Sequence, residues 1–143
     1  MRKLLFVLIV LFGKNLHSQE IPVKFEIDNL RNTDGSVIVS VYKDAKSFDE
    51  GIPEFRKTIN KKENMENGSF KAQVLLPPGV YGLVFLDDEN NDGAMNNSFI
   101  GVPKEGFGFS NFYLSGFKKP KFSEFSFTLT ENTETLQVQL RYL

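Results

Sequence analysis

Between Asp87 and Asp92 the chain places four acidic side chains and two asparagines in six consecutive positions, and Gly93 follows them. Oxygens packed this densely in a turn are the ligands that a hard cation such as calcium takes. Asp88, Asn90 and Asp92, with Gly93 behind them, match the opening D-x-[DN]-x-[DN]-G of an EF-hand loop. The match then stops: the twelfth position, where a bidentate Glu belongs, is Phe99, and no helical periodicity flanks the loop. A true EF-hand is excluded. Two readings stay open. In one, a partial calcium loop on a β scaffold uses Asp88, Asn90 and Asp92, with Asp87, Glu89, Asn96 or Asn97 completing the shell. In the other, the same oxygens cap the backbone of a strand-to-strand turn, and the half-present pattern favours this one.

Other chemistries are narrowed by what the chain lacks. It has no cysteine, and its single histidine is His17. Ahead of that histidine, Arg2 and Lys3 precede an unbroken apolar run, Leu4 to Phe12, and Ser18 precedes Gln19. This is the layout of a secretory signal peptide over residues 1–18, and the run is short for a membrane span. The expected mature chain, 19–143, therefore contains neither His nor Cys. Ser-His-Asp and Cys-His catalysis, ordinary zinc sites, disulfides and attachment of lipid to an N-terminal cysteine all fall away. Asp87, Asp88, Glu89 and Glu105 are the carboxylates left for a glycosidase-type acid/base pair, a distant reading for so short a chain.

Without Arg2, Lys3 and Lys14 the mature chain carries 14 basic against 18 acidic side chains, a charge near −4. A phosphate-binding partner demands a basic stripe, so nucleic acid is not expected. Lys118, Lys119 and Lys121 around Pro120 make a small basic loop, read as a solvated turn with a phosphate or glycan contact as the alternative. Eight phenylalanines lie between Phe99 and Phe127, more than alternating strands bury. An aromatic rim for a ligand is one reading. The stronger is a long ordered loop, Gly101 to Asn111, folded across one end of the domain and pinned by its own Phe side chains.

The elements that must position these residues are strands. Val23, Phe25 and Ile27 alternate with polar residues, as do Val37, Val39 and Val41. Asn32 to Gly35 is the turn between them, and the pair is expected to form a hairpin. One short helical turn is expected between Lys43 and Glu50, then a weaker strand over Glu54 to Asn60. After the Asn67-Gly68 turn, Phe70, Ala72 and Val74 share one strand face. Val80 to Leu86 is apolar on both faces apart from Gly82, as in a central strand covered on both sides. Phe125 to Leu129 and Leu136 to Tyr142 alternate, with Thr130 to Thr133 as a hairpin turn. The pattern predicts one all-β domain, a β-sandwich of about seven strands. The Pro78-Gly79-x-Tyr81 step resembles that of prealbumin-like sandwiches, so a prealbumin-like or immunoglobulin-like sandwich is expected.

The segment LPPGVYGLVFLDDENNDG followed by SFIGVPKEGFGFSN, Leu76 to Asn111, resembles the signature of the DUF2141 family, small secreted bacterial proteins of uncharacterised function. The resemblance extends from about Val23 to Tyr142 and includes the G-x-V-x-V-x-x-Y strand, Gly35 to Tyr42. It implies no catalytic residues. Family members commonly carry His where this chain has Asp87, so a role needing that imidazole does not carry over. The expectation is a non-enzymatic structural or interaction domain, secreted or periplasmic and not a lipoprotein, with calcium as its only candidate cofactor. Its expected partner is a protein or glycan of the envelope or extracellular space. A glycan- or peptide-binding module using the Asp87–Asn111 surface is the second reading, and a carboxylate-based hydrolase the third.

Overall fold

The computed structural model describes residues 19–98 and 101–143. The expected signal peptide, with His17, and Phe99 of the EF-hand comparison lie outside them. The chain folds as an all-β sandwich of two sheets. One sheet is built from β1 (Ile21–Ile27), β4 (Met65–Glu66), β5 (Ser69–Leu76) and β9 (Leu136–Val138), in the order β4-β5-β1-β9. The other takes β2 (Ser36–Tyr42), β3 (Phe55–Asn60), β6 (Gly79–Asp88) and β7 (Phe107–Phe109), in the order β3-β2-β6-β7, and β8 (Phe127–Leu129) pairs with the start of β6. The described residues also form three short helices: α1 (Ala45–Asp49), α2 (Lys61–Asn64) and α3 (Phe122–Phe125). No helix among the described residues is long and apolar enough to cross a membrane.

The described residues form nine strands where about seven are expected, the additions being the two short ones, β4 and β7. Two expected hairpins do not form. β1 pairs with β5 and, in parallel, with β9, while β2 pairs with β3 and β6. The Asn32–Gly35 turn therefore crosses from one sheet to the other. Likewise β8 joins β6 and β9 joins β1, so Thr130–Thr133 is a crossover as well. Alternation identifies a strand's buried face but not its neighbour, which is why both pairings misled. The Asn67-Gly68 turn does close a hairpin, β4 with β5, and both residues take positive φ, 52° and 87°, as a two-residue primed turn requires.

Between the sheets, the inward residues of β1 (Val23, Phe25, Ile27) meet those of β2 (Val37, Val39, Val41) and of β6 (Leu83, Phe85). Phe25 and Phe85 pack edge to face with ring centres 5.0 Å apart. A second apolar cluster covers the outer face of the β2-β6-β7 sheet, where Tyr42, Phe48, Phe107, Phe109 and Phe125 are buried. It explains the excess of phenylalanine. The Phe residues form a layer over a sheet face instead of pinning a loop at one end, and Phe107 to Phe109 is itself a strand. It also explains Gly82. A Cβ there would lie 2.5 Å from the Phe125 ring and 2.9 Å from that of Phe122. β6 is thus covered on both faces, as its doubly apolar sequence predicts.

Candidate functional site

The acidic stretch begins inside the sheet. Asp87 and Asp88 are the last two residues of β6, opposite Val37 and Ser36 of β2. Successive side chains on a strand point to opposite faces, so the two carboxylates part company. Asp87 continues the inward row of Leu83 and Phe85 and is fully buried. Its Oδ1 lies 2.6 Å from Nζ of Lys61, which is also fully buried. Its Oδ2 accepts from the Tyr142 hydroxyl at 2.7 Å.

Four more contacts close this pair into a ring. Lys61 donates a second hydrogen bond to Asn32 Oδ1 at 3.0 Å, and Asn32 Nδ2 donates to Glu89 Oε1 at 2.9 Å. Glu89 takes a two-pronged pair from Arg31, Nε at 2.6 Å and Nη2 at 2.9 Å. The Arg31 guanidinium in turn lies 4.6 Å from the centre of the Tyr142 ring. Arg31, Asn32, Lys61, Asp87, Glu89 and Tyr142 thus form one cycle that ties the β1–β2 crossover, the start of α2, the end of β6 and the C-terminal segment. Hydrogen bonding to Arg31 holds the Glu89 carboxyl below its usual range. Burial, then the bond to Asp87, pushes the Tyr142 hydroxyl well above the ordinary tyrosine value. Gly106 leaves room for the cycle, since a Cβ there would stand 2.4 Å from the Tyr142 ring.

Asp88 faces the other way and organises the turn. Its Oδ1 accepts from the Asp92 amide at 3.1 Å and its Oδ2 from the Gly93 amide at 3.0 Å. Asn90 Oδ1 shares the Asp92 amide. Asp92 accepts from the Ala94 amide at 2.9 Å and from Asn96 Nδ2 at 2.7 Å. Bonds from Asn96 first, then from Ala94 and Asn90, hold its carboxyl below the usual value. The buried Glu105 receives the Asn96 amide at 3.0 Å and its Nδ2 at 3.2 Å. Gly93 takes φ +77°. Gly35, at φ +74°, presses so closely on the Asp88 carbonyl that a Cβ would stand 2.0 Å from its oxygen.

Of the candidate calcium ligands, Asp88, Asn90 and Asp92 therefore share one turn. Asp87 is turned into the sandwich toward Lys61 and Tyr142, and Glu89 toward Arg31 and Asn32. Among the described residues no group of three or more His, Cys, Asp or Glu side chains is placed to hold a metal ion. Asn96 joins the turn through Asp92 and Glu105.

Lys61, Tyr142, Arg31 and Asn32 escaped sequence reasoning. A signal for Lys61 exists: it stands two residues after the inward-facing Ile59, in the same alternation as Phe55. Asp87 likewise stands two after Phe85. Two opposite charges in inward registers, Asp87 at the end of β6 and Lys61 just past the end of β3, call for one another.

No curated protein and no solved structure matches the chain. A family model described as an uncharacterized protein conserved in bacteria does match it, over residues 25–137. That span covers both sheets apart from the start of β1 and the end of β9, the polar cycle up to Glu89 and the whole acidic turn, and the chain belongs to the DUF2141 family.

Proposed function

We propose that this is a non-enzymatic structural or interaction domain of the bacterial envelope or extracellular space, exported by the apolar segment Leu4–Phe12. One observation carries the reading: the carboxylates that suggested chemistry are each engaged in holding the fold. Asp87 joins Lys61 to Tyr142, Asp88 and Asp92 fasten the turn, and Glu105 anchors Asn96. A general acid or base must reach a substrate proton, whereas Asp87 and Asp88 are 0% and 1% exposed. Calcium would have to displace N–H donors from Asp88 and Asp92, so the self-capped turn is the better supported form of this domain.

Asp88→Asn and Glu105→Gln test the reading. In Asp88→Asn an amide nitrogen replaces one of two accepting oxygens and leaves a backbone donor short of its partner, a loss of about 1–3 kcal/mol. Glu105→Gln keeps one oxygen for both Asn96 donors but removes the charge that strengthens them, a smaller loss. Both variants should unfold at lower urea concentration than the parent. Unchanged midpoints would remove the structural role and return these carboxylates to the pool of catalytic candidates.

A further inference from the structure

The loop between Phe112 and Lys121 is fastened at both ends and presents a phenylalanine at its tip. On one side Arg141 Nη1 donates to the carbonyl oxygen of Leu114 at 2.8 Å and to that of Gly116. Arg141 is itself fixed, since its backbone exchanges both hydrogen bonds with Phe107 of β7. On the other side Lys119 Nζ donates to the Phe48 carbonyl at 3.0 Å, with its ammonium 4.1 Å from the Phe48 ring centre, and Pro120 is buried. Between these anchors Phe117 is 85% exposed, the highest value of any large apolar residue described. The Arg141 guanidinium lies 5.1 Å from the Phe117 ring centre.

The charge around that ring is predominantly positive. Lys118, Lys119 and Lys121 are exposed, and Arg141 lies under the tip. The neighbouring acids are already engaged: Asp49 stands 3.8 Å from Lys119, and Glu124 accepts the Lys121 amide at 2.6 Å. Lys118 and Lys121 have no carboxylate partner among the described residues. Tyr113, 48% exposed, adds a second aromatic on the same loop. On a chain of net negative charge such a spot orients the molecule toward an anionic surface.

We infer that this loop docks the domain on an anionic lipid surface, Phe117 entering the headgroup region and the lysines meeting the lipid phosphates. A phenyl ring that stands out from its loop enters its partner, and a bilayer interface accepts such a ring at any lateral position without a matching pocket. One apolar side chain with a few cations gives weak, salt-sensitive attachment. None of the six residues of the polar cycle takes part, so the docking reading does not depend on their structural role.

Both sheets and both apolar clusters lie within residues 19–143, so the chain beginning at Gln19 is the unit to test. It contains no tryptophan, and Phe117→Trp installs a single reporter at the tip. Its emission should shift to the blue on phosphatidylcholine vesicles containing phosphatidylglycerol and stay unmoved on phosphatidylcholine alone. Raising salt from about 0.01 to 0.15 M, which shortens the screening length from about 30 to 8 Å, should reverse the shift. Lys118→Ala and Lys121→Ala should each weaken partition about fivefold, with melting unchanged. Phe117→Ser should abolish co-sedimentation with the vesicles. Emission unmoved by the anionic vesicles would overturn the inference, as would undiminished sedimentation of Phe117→Ser. An equal shift with soluble polyglutamate would make the partner an acidic peptide and overturn it too.

Discussion

Lys61 and Asp87 meet between the two sheets at 2.6 Å, with neither side chain accessible to solvent. A charge at such depth is costly unless it is paired and hydrogen-bonded. Here each partner has one further contact: Asn32 for the ammonium and Tyr142 for the carboxylate. Among the described residues no buried side-chain nitrogen or oxygen lacks a hydrogen-bond partner. The pair closes one end of the sandwich: Asp87 ends the inward row of β6, and Lys61 opens α2 directly after β3.

Tyr142→Phe should show what the hydroxyl contributes. Losing a hydrogen bond to a buried carboxylate costs about 1.5–3 kcal/mol, read as a lower urea midpoint at neutral pH. The raised hydroxyl value also sets an alkaline limb. As pH climbs past the ordinary tyrosine value of about 10, the unfolded chain releases this proton while the native state keeps it. Stability from this group is therefore complete below about pH 10 and declines above it. Titrating unfolding from about pH 9 to 11 should give a shallower decline in Tyr142→Phe than in the parent. Parallel declines would place the hydroxyl in a solvated environment.

Gly82→Ala tests the outer aromatic layer. The added methyl would meet the Phe125 and Phe122 rings at 2.5 and 2.9 Å, and overpacking of this kind costs about 1–3 kcal/mol. A lower thermal midpoint is expected. An unchanged one would mean that α3 lifts from β6 without penalty and that the second apolar cluster contributes little.

The acidic turn gives a direct ion test. With Asp88 and Asp92 accepting from amides of their own turn, melting curves in millimolar calcium and in chelator should coincide. A midpoint that rises with calcium, and that stops responding in Asp88→Asn/Asp92→Asn, would establish the ion-bound turn instead.

Legibility of the fold in the sequence followed the range of the forces involved. Strand identity and burial were readable because alternation is local: Phe85 and Val138 are both buried as expected. Pairing was not. Nothing in the Asn32–Gly35 turn tells a hairpin from a crossover, since both need Gly35 at positive φ. At the site, the oxygens of Asp88, Asn90 and Asp92 were visible because they are neighbours in the chain. The partners of Asp87 were hidden, for Lys61 lies 26 residues away and Tyr142 55. The Lys61-Lys62 pair has the look of solvated charge, and Tyr142 that of one more apolar position in an alternating strand.

That the conspicuous charges of this chain hold its fold is tested most directly by a double-mutant cycle on Lys61 and Asp87, read by urea unfolding. Lys61→Met leaves a buried carboxylate without its cation, and Asp87→Asn leaves a buried ammonium without its anion; each should cost about 3–5 kcal/mol. The double variant removes both charges and keeps an amide oxygen for the Tyr142 hydroxyl. It should recover about 2–3 kcal/mol relative to the sum of the single losses. Single losses that add to within about 0.5 kcal/mol would show that the two residues do not act as a pair and would contradict the account.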